Sequence, residues 1–186
     1  MSLILGVDPS LTGTGLALVD TDDHLFVDVA TIASKPGGLP GIEGRVQRQA
    51  RICEQIIAFA DLETVTVDLV VIEAPAFSSR TGQPHDRSGL WWRIVDRALE
   101  HGCRVVEVAP TSRAKYATGN GGAGKDAVLL AVSRRYPHVD ITNNNEADAL
   151  VLAAIGAHLV GHPIDELPKS HLEALVKVRP AAGMAA

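Results

Sequence analysis

The chain has 186 residues, of which 46% are hydrophobic and 21% charged, with a net charge of −5. That length suits one domain with a sizeable core, and the composition is that of a globular protein in water. No apolar run approaches the ~20 residues of a helical membrane span. The opening MSLILGVDPS is broken by Asp8 before it reaches leader length, so a cytoplasmic protein is expected. Cys53 and Cys103 stand far apart without CxxC spacing and read as reduced core residues. The negative balance excludes a uniformly basic surface, yet the charge is uneven. Residues 1–30 hold Asp8, Asp20, Asp22, Asp23 and Asp28 and no Lys or Arg. Residues 104–137 hold Arg104, Arg113, Lys115, Lys125, Arg134 and Arg135 against Glu107 and Asp126. A local basic surface is therefore available.

Leu3–Val7, Gly15–Val19 and Leu25–Ile32 are apolar or β-branched runs separated by turn residues, which predicts three short antiparallel strands. Lys35–Gly41 is a Pro/Gly-rich loop. From Ile42 to Phe59 a helix is expected, with Val46, Ala50, Cys53, Ile56, Ile57 and Ala60 on its apolar side. Val65–Glu73 reads as a buried strand because its apolar run is nearly continuous. A polar loop, Ala74–Ser88, leads to a helix over Gly89–His101, with Gly102 as its stop and Arg104–Val108 as the next strand. Pro110 opens a short helical turn, TGNGGAG forms a loop, and Lys125–Tyr136 and Asn145–Val160 are helices. Ile164–Val178 adds a short helix before a frayed tail. The expected domain boundaries are 1–162 for the body and 163–186 for the C-terminal helix and tail. The order βββ-α-β-α-β-α-α is that of an α/β fold, a mixed sheet flanked by helices.

Three acids border elements that belong in a core. Asp8 ends an apolar strand, Glu73 ends LVVIE, and Asp148 lies near the start of the apolar helix NNNEADALVLAAIG. Each has an ordinary reading: Asp before Pro as a turn residue, Glu as a solvated strand end, Asp as a partner of the helix dipole. Together they point to divalent cations, since buried carboxylates need compensation and hard Mg²⁺ prefers their oxygens. Two ions in such a site activate water and stabilise the leaving oxygen of a phosphodiester.

Four segments resemble the RuvC family of Holliday junction resolvases, in the family's order and across residues 3–157. GVDPSLTGTG resembles its first-strand motif, VVIEAPAF its central-strand Glu, and ADALVLAA its last helix with a metal-facing Asp. APTSRAKYATGNGGAGKDAV resembles its T-G-x-G-x-A-x-K segment, here Thr118, Gly119, Gly121, Ala123 and Lys125. The resemblance implies an RNase H-like fold and a Mg²⁺-dependent endodeoxyribonuclease with two ions per site, Mn²⁺ substituting. It also implies a homodimer acting on a four-way DNA junction. On this reading Asp8, Glu73 and Asp148 hold the metals and Lys125 assists at the scissile phosphate. Lys115 stands near the place of a second family lysine, one residue out of register. The family's fourth ligand falls at Asn145, and Glu146 beside it is an alternative. Asn145 shares a helix face with Asp148 and also suits an N-cap.

Other features carry less. GNGGAGK fits a phosphate-cradling loop, but Asp126 stands where that motif needs a hydroxyl. His158 and His162 have metal-like spacing without a third partner and also suit a helix C-terminus. Phe77 follows the central Glu and could stack on a base; with Arg80, Arg113, Lys115 and Lys125 it makes the expected DNA-binding set. Trp91 and Trp92 read as core or dimer contacts. The alternatives to a junction resolvase are another RNase H-like nuclease and a junction-binding protein with weakened catalysis.

Overall fold

The computed structural model describes residues 2–23, 26–36, 38–75 and 83–181. Three strands, β1 (Leu3–Asp8), β2 (Gly13–Asp20) and β3 (Val27–Ala33), form the antiparallel half of one sheet. Strands β4 (Leu69–Glu73) and β5 (Arg104–Val108) join it in parallel, giving the order β3-β2-β1-β4-β5. The expected mixed α/β sheet is therefore present. Strand β4 begins at Leu69 rather than Val65. The preceding residues form turns, with Asp68 accepting a hydrogen bond from the Leu3 amide at 2.9 Å.

Alternation along the strands divides the core. Leu3, Leu5 and Val7 of β1 and Val70 and Ile72 of β4 face helices α1 (Gly41–Phe59) and α2 (Pro84–Glu100). Ile4 of β1 and Leu69 and Val71 of β4 face the other side. There lie α3 (Pro110–Thr118), α4 (Lys125–Arg135) and α5 (Asn144–Leu159). Helix α5 is buried nearly all round, from Glu146 to Ala157, which explains why its sequence is apolar on every side. It reaches the sheet at backbone contact because Gly6 has no side chain. A Cβ there would stand 2.1 Å from the Ala149 carbonyl oxygen.

Two helix readings change. Helix α2 starts at Pro84, five residues before the expected Gly89, because Pro at its first position and Asp86 in its first turn make a start. On α1, Val46 is exposed and the buried polar residue is Arg48, whose guanidinium donates to the Leu11 and Ser34 carbonyls. After α5 the chain adds a short helix, α6 (Lys169–Leu172), and a 3₁₀ turn at Leu175–Lys177. Ala174 and Val178 of this segment pack into the α3–α5 side of the core. Both cysteines are free and buried.

Candidate active site

The pleat that builds the core also aims the acids. In β1, Ile4, Gly6 and Asp8 share the α5 side; in β4, Leu69, Val71 and Glu73 do. Val7 is paired with Ile72 across the parallel register, so Asp8 and Glu73 lie side by side where the two strands end. Asp8 is also paired with Gly15 of β2. A Cβ at Gly15 would come within 2.0 Å of the Asn145 carbonyl oxygen, so this glycine admits the first turn of α5 above the strand ends. One turn on, Asp148 joins the cluster. The three acids that the sequence singled out meet on one side of the sheet.

Arg113 ties two of them together. From the first turn of α3 its Nε donates to Glu73 Oε2 and its Nη1 to Asp148 Oδ1. The Arg113 side chain is 8% exposed, Glu73 16% and Asp148 2%, so these pairs are largely shielded from water. Burial opposes the guanidinium's charge, but Glu73 and Asp148 outweigh it and raise its pKa. Asp148 Oδ2 is buried with no hydrogen-bond partner. Among the described residues no three His, Cys, Asp or Glu side chains stand ready to hold a metal ion as a group. The guanidinium occupies oxygens that such an ion would use.

The electrostatics show how crowded the negative charge is. Burial, then Glu73 and Asp148, push the Asp8 carboxyl up to about 7, against the opposing pull of Arg113 and Lys125. Burial also raises Asp148 to about 6; Arg113 and Lys125 work against the rise, and Glu73 adds to it. These acids pair in space at a cost that a cation relieves. The cleft above them has a volume of about 530 Å³, and Asp8, Ser10, Glu73, Arg87, Lys125 and Asn145 are part of its lining. Lys125 opens α4, is exposed, and faces the acids from the cleft wall.

The neighbouring positions sort themselves by hydrogen bonding. The N-cap of α5 is Asn143, not Asn145: its side chain accepts from the Asn145 and Glu146 amides at 2.9 and 3.1 Å. Asn145 is thereby left to line the cleft. Glu146 turns back to the cap, accepting from the Thr142 amide, the Thr142 and Thr31 hydroxyls and Asn143 Nδ2. Burial opposes its charge, but those donors prevail and hold its pKa low.

Of the expected DNA-binding set, Lys125 faces the cleft and Arg113 is engaged beneath it. Lys115 is half-buried and pairs with Glu173 of the C-terminal segment at 2.6 Å. Phe77 and Arg80 lie outside the described residues. The tryptophans divide: Trp91 is buried and its indole donates to the Glu73 carbonyl at 2.9 Å, whereas Trp92 is 65% exposed. His158 Nδ1 lies 2.8 Å from the Tyr116 hydroxyl, which donates to Asp165 at 2.9 Å, a buried polar contact rather than a metal site. Sequence reasoning missed the Arg113 bridge and the Trp91 strut. The one signal for the first was an arginine five residues beyond a strand end, close to Pro110.

Comparison with known proteins places this geometry. The crossover junction endodeoxyribonuclease RuvC of Rhodopseudomonas palustris (strain TIE-1) is 30% identical over 156 residues, covering 83% of this chain and 86% of that protein. The chain belongs to the RuvC family. RuvC of Delftia acidovorans is 28% identical over 158 residues, 83% of this chain and 84% of that protein. The RuvC structure from Thermus thermophilus superposes with a TM-score of 0.62 at 21% identity, covering 86% of this chain and 97% of that one. This likeness confirms the fold. No protein-family model matches the chain.

Proposed function

We propose that the chain is a Holliday junction resolvase, a divalent-metal-dependent endodeoxyribonuclease that cuts branched DNA. The observation that carries the reading is the meeting of Asp8, Glu73 and Asp148 on one side of the sheet, with Asp8 and Glu73 lining one open cleft, in a chain 30% identical to a crossover junction endodeoxyribonuclease. A second T. thermophilus RuvC structure, in complex with Holliday junction substrate, has a TM-score of 0.59 at 20% identity. It agrees with the reading at the level of fold.

The residues present fit divalent cations. Asp148 Oδ2 is an orphaned buried oxygen, and burial, with the repulsion of neighbouring carboxylates added to it, raises Asp8 and Asp148. Asp8, Glu73 and Asp148 would hold two Mg²⁺ or Mn²⁺ ions, with Asn145 contributing a neutral amide oxygen. Bound there, the ions supply Lewis acidity toward water and the phosphodiester. The chain's own groups do the rest. Lys125, at the cleft wall, contacts the scissile phosphate as a point charge and offsets the negative charge that develops on it. Trp91 fixes the end of β4 through the Glu73 carbonyl, so the Glu73 carboxylate is presented from a rigid strand.

A homodimer suits a junction with two symmetric strands to cut. Helices α1 and α2 pack together and carry the exposed apolar residues Ile42, Val46, Trp92 and Leu99, a surface that a second copy would cover. Pairing two copies would also bring two sets of local cationic groups to one DNA.

The test is cleavage of a labelled four-way junction beside a flap, a single strand, an RNA–DNA hybrid and linear duplex. Cutting of the junction in Mg²⁺ or Mn²⁺, abolished by EDTA and restored by added metal, is expected. Preference for the flap or hybrid would assign a different nuclease. Tight junction binding without cutting in either metal would assign a binding protein.

A further inference from the structure

The Arg113 guanidinium stands between two of the carboxylates proposed as metal ligands, and nothing in that proposed role explains its presence. Its contacts are specific: Nε on one oxygen of Glu73 and Nη1 on one oxygen of Asp148, in a largely dry pocket. A planar guanidinium satisfies two carboxylates at once, which the single ammonium of a lysine does less well. Its backbone is anchored too, since the Arg113 amide donates to the Ala109 carbonyl at 3.0 Å in the first turn of α3. Lys125, by contrast, is exposed at the rim.

We propose that Arg113 is a resident counter-cation, which neutralises Glu73 and Asp148 in the metal-free protein and competes with divalent ions for the same oxygens. The inference rests on the metal-site reading given above. Each carboxylate gives one oxygen to Arg113, and Asp148 keeps Oδ2 free. An arriving ion therefore finds Asp8 and the free oxygens first, and full use of Glu73 and Asp148 requires Arg113 to let go. Ion binding and the arginine bridge are alternative states of one cluster, and each is disfavoured by the other. Arg113 is thus a positioning residue: it holds the acids in register without metal and sets how readily metal replaces it.

The experiment is calorimetric titration of Mn²⁺ alone into the full chain, stripped of metal by chelator and dialysed, as wild type, R113Q, R113K and D8N. Thermal melts with and without Mn²⁺ accompany it. R113Q is expected to bind Mn²⁺ at least ~10-fold more tightly than wild type, with R113K between them, and to gain more in Tm from Mn²⁺. A scaffold role alone would not tighten binding. Should R113Q be unfolded in chelator, the proposal requires Mn²⁺ to refold it, and failure to do so overturns the proposal. Equal or weaker Mn²⁺ binding by folded R113Q, with binding still lost in D8N, overturns the role of Arg113 and leaves the metal site standing. Wild-type Mn²⁺ binding that D8N leaves intact overturns the metal-site reading itself.

Discussion

Asp8→Asn is expected to reduce junction cleavage by on the order of 10³-fold, the scale at which removing one stabilising group from a preorganised site registers. The substitution keeps the shape of the side chain and removes its charge. Asp8 stands where β1 ends, flanked by Glu73 of β4 and within the field of Asp148, so without its charge the cluster loses a third of its negative ligands. Binding of the junction should persist, because one repulsive charge is gone from a surface that faces phosphates. Stability supplies an independent sign. Asp8's folded pKa of about 7 lies above its ordinary value near 3.8, so its ionisation costs the folded state stability as pH rises toward 7. In EDTA at pH 8, D8N should therefore melt above wild type, and the gap should narrow as pH falls toward 4. Cleavage kinetics, junction gel shifts and melts at pH 5 and 8 check all three. Retained cutting in D8N would remove Asp8 from the site.

Gly6→Ala should cost the fold about 3 kcal/mol, at the upper end of what overpacking a core incurs. The added methyl would meet the Ala149 carbonyl oxygen at 2.1 Å and the Ala153 amide nitrogen at 2.7 Å. Both atoms belong to the backbone of a buried helix, so no rotamer change relieves them. Helix α5 must lift from β1, carrying Asp148 away from Asp8. For a domain of this size the loss corresponds to a fall in Tm of about 10 °C. Gly122→Ala is the control. A Cβ there meets only the Asn120 side chain at 3.5 Å, and a change within ~0.5 kcal/mol is expected. Equal melting of G6A and wild type would show that α5 does not rest on β1 at backbone contact.

The acids were legible because each interrupts an apolar pattern at its end, and strand alternation then fixes the side of the sheet from which Asp8 and Glu73 project. Gly6 and Gly15 carried a signal of the same kind, small residues in strands that a helix approaches closely, but their partners in α5 required the fold. Local patterns failed where long-range contacts decide. Arg48 disappears into the core because distant carbonyls receive it, while Val46, apolar and in phase, stays exposed. Asn143 rather than Asn145 caps α5, which a run of three asparagines, Asn143 to Asn145, could not reveal. The cap in turn explains why Glu146, the more acidic neighbour, points back to Thr142 and leaves Asn145 beside the metals' proposed seat. The Arg113 bridge was the least legible, since it joins α3 to β4 and α5 across 40 and 35 residues of sequence.

The most direct measurement is anomalous diffraction from crystals of the full chain soaked in Mn²⁺. Anomalous density in direct contact with carboxylate oxygens of Asp8, Glu73 and Asp148 is expected, absent from D8N crystals soaked alike. Manganese bound elsewhere, with these three side chains free of it, would contradict the account.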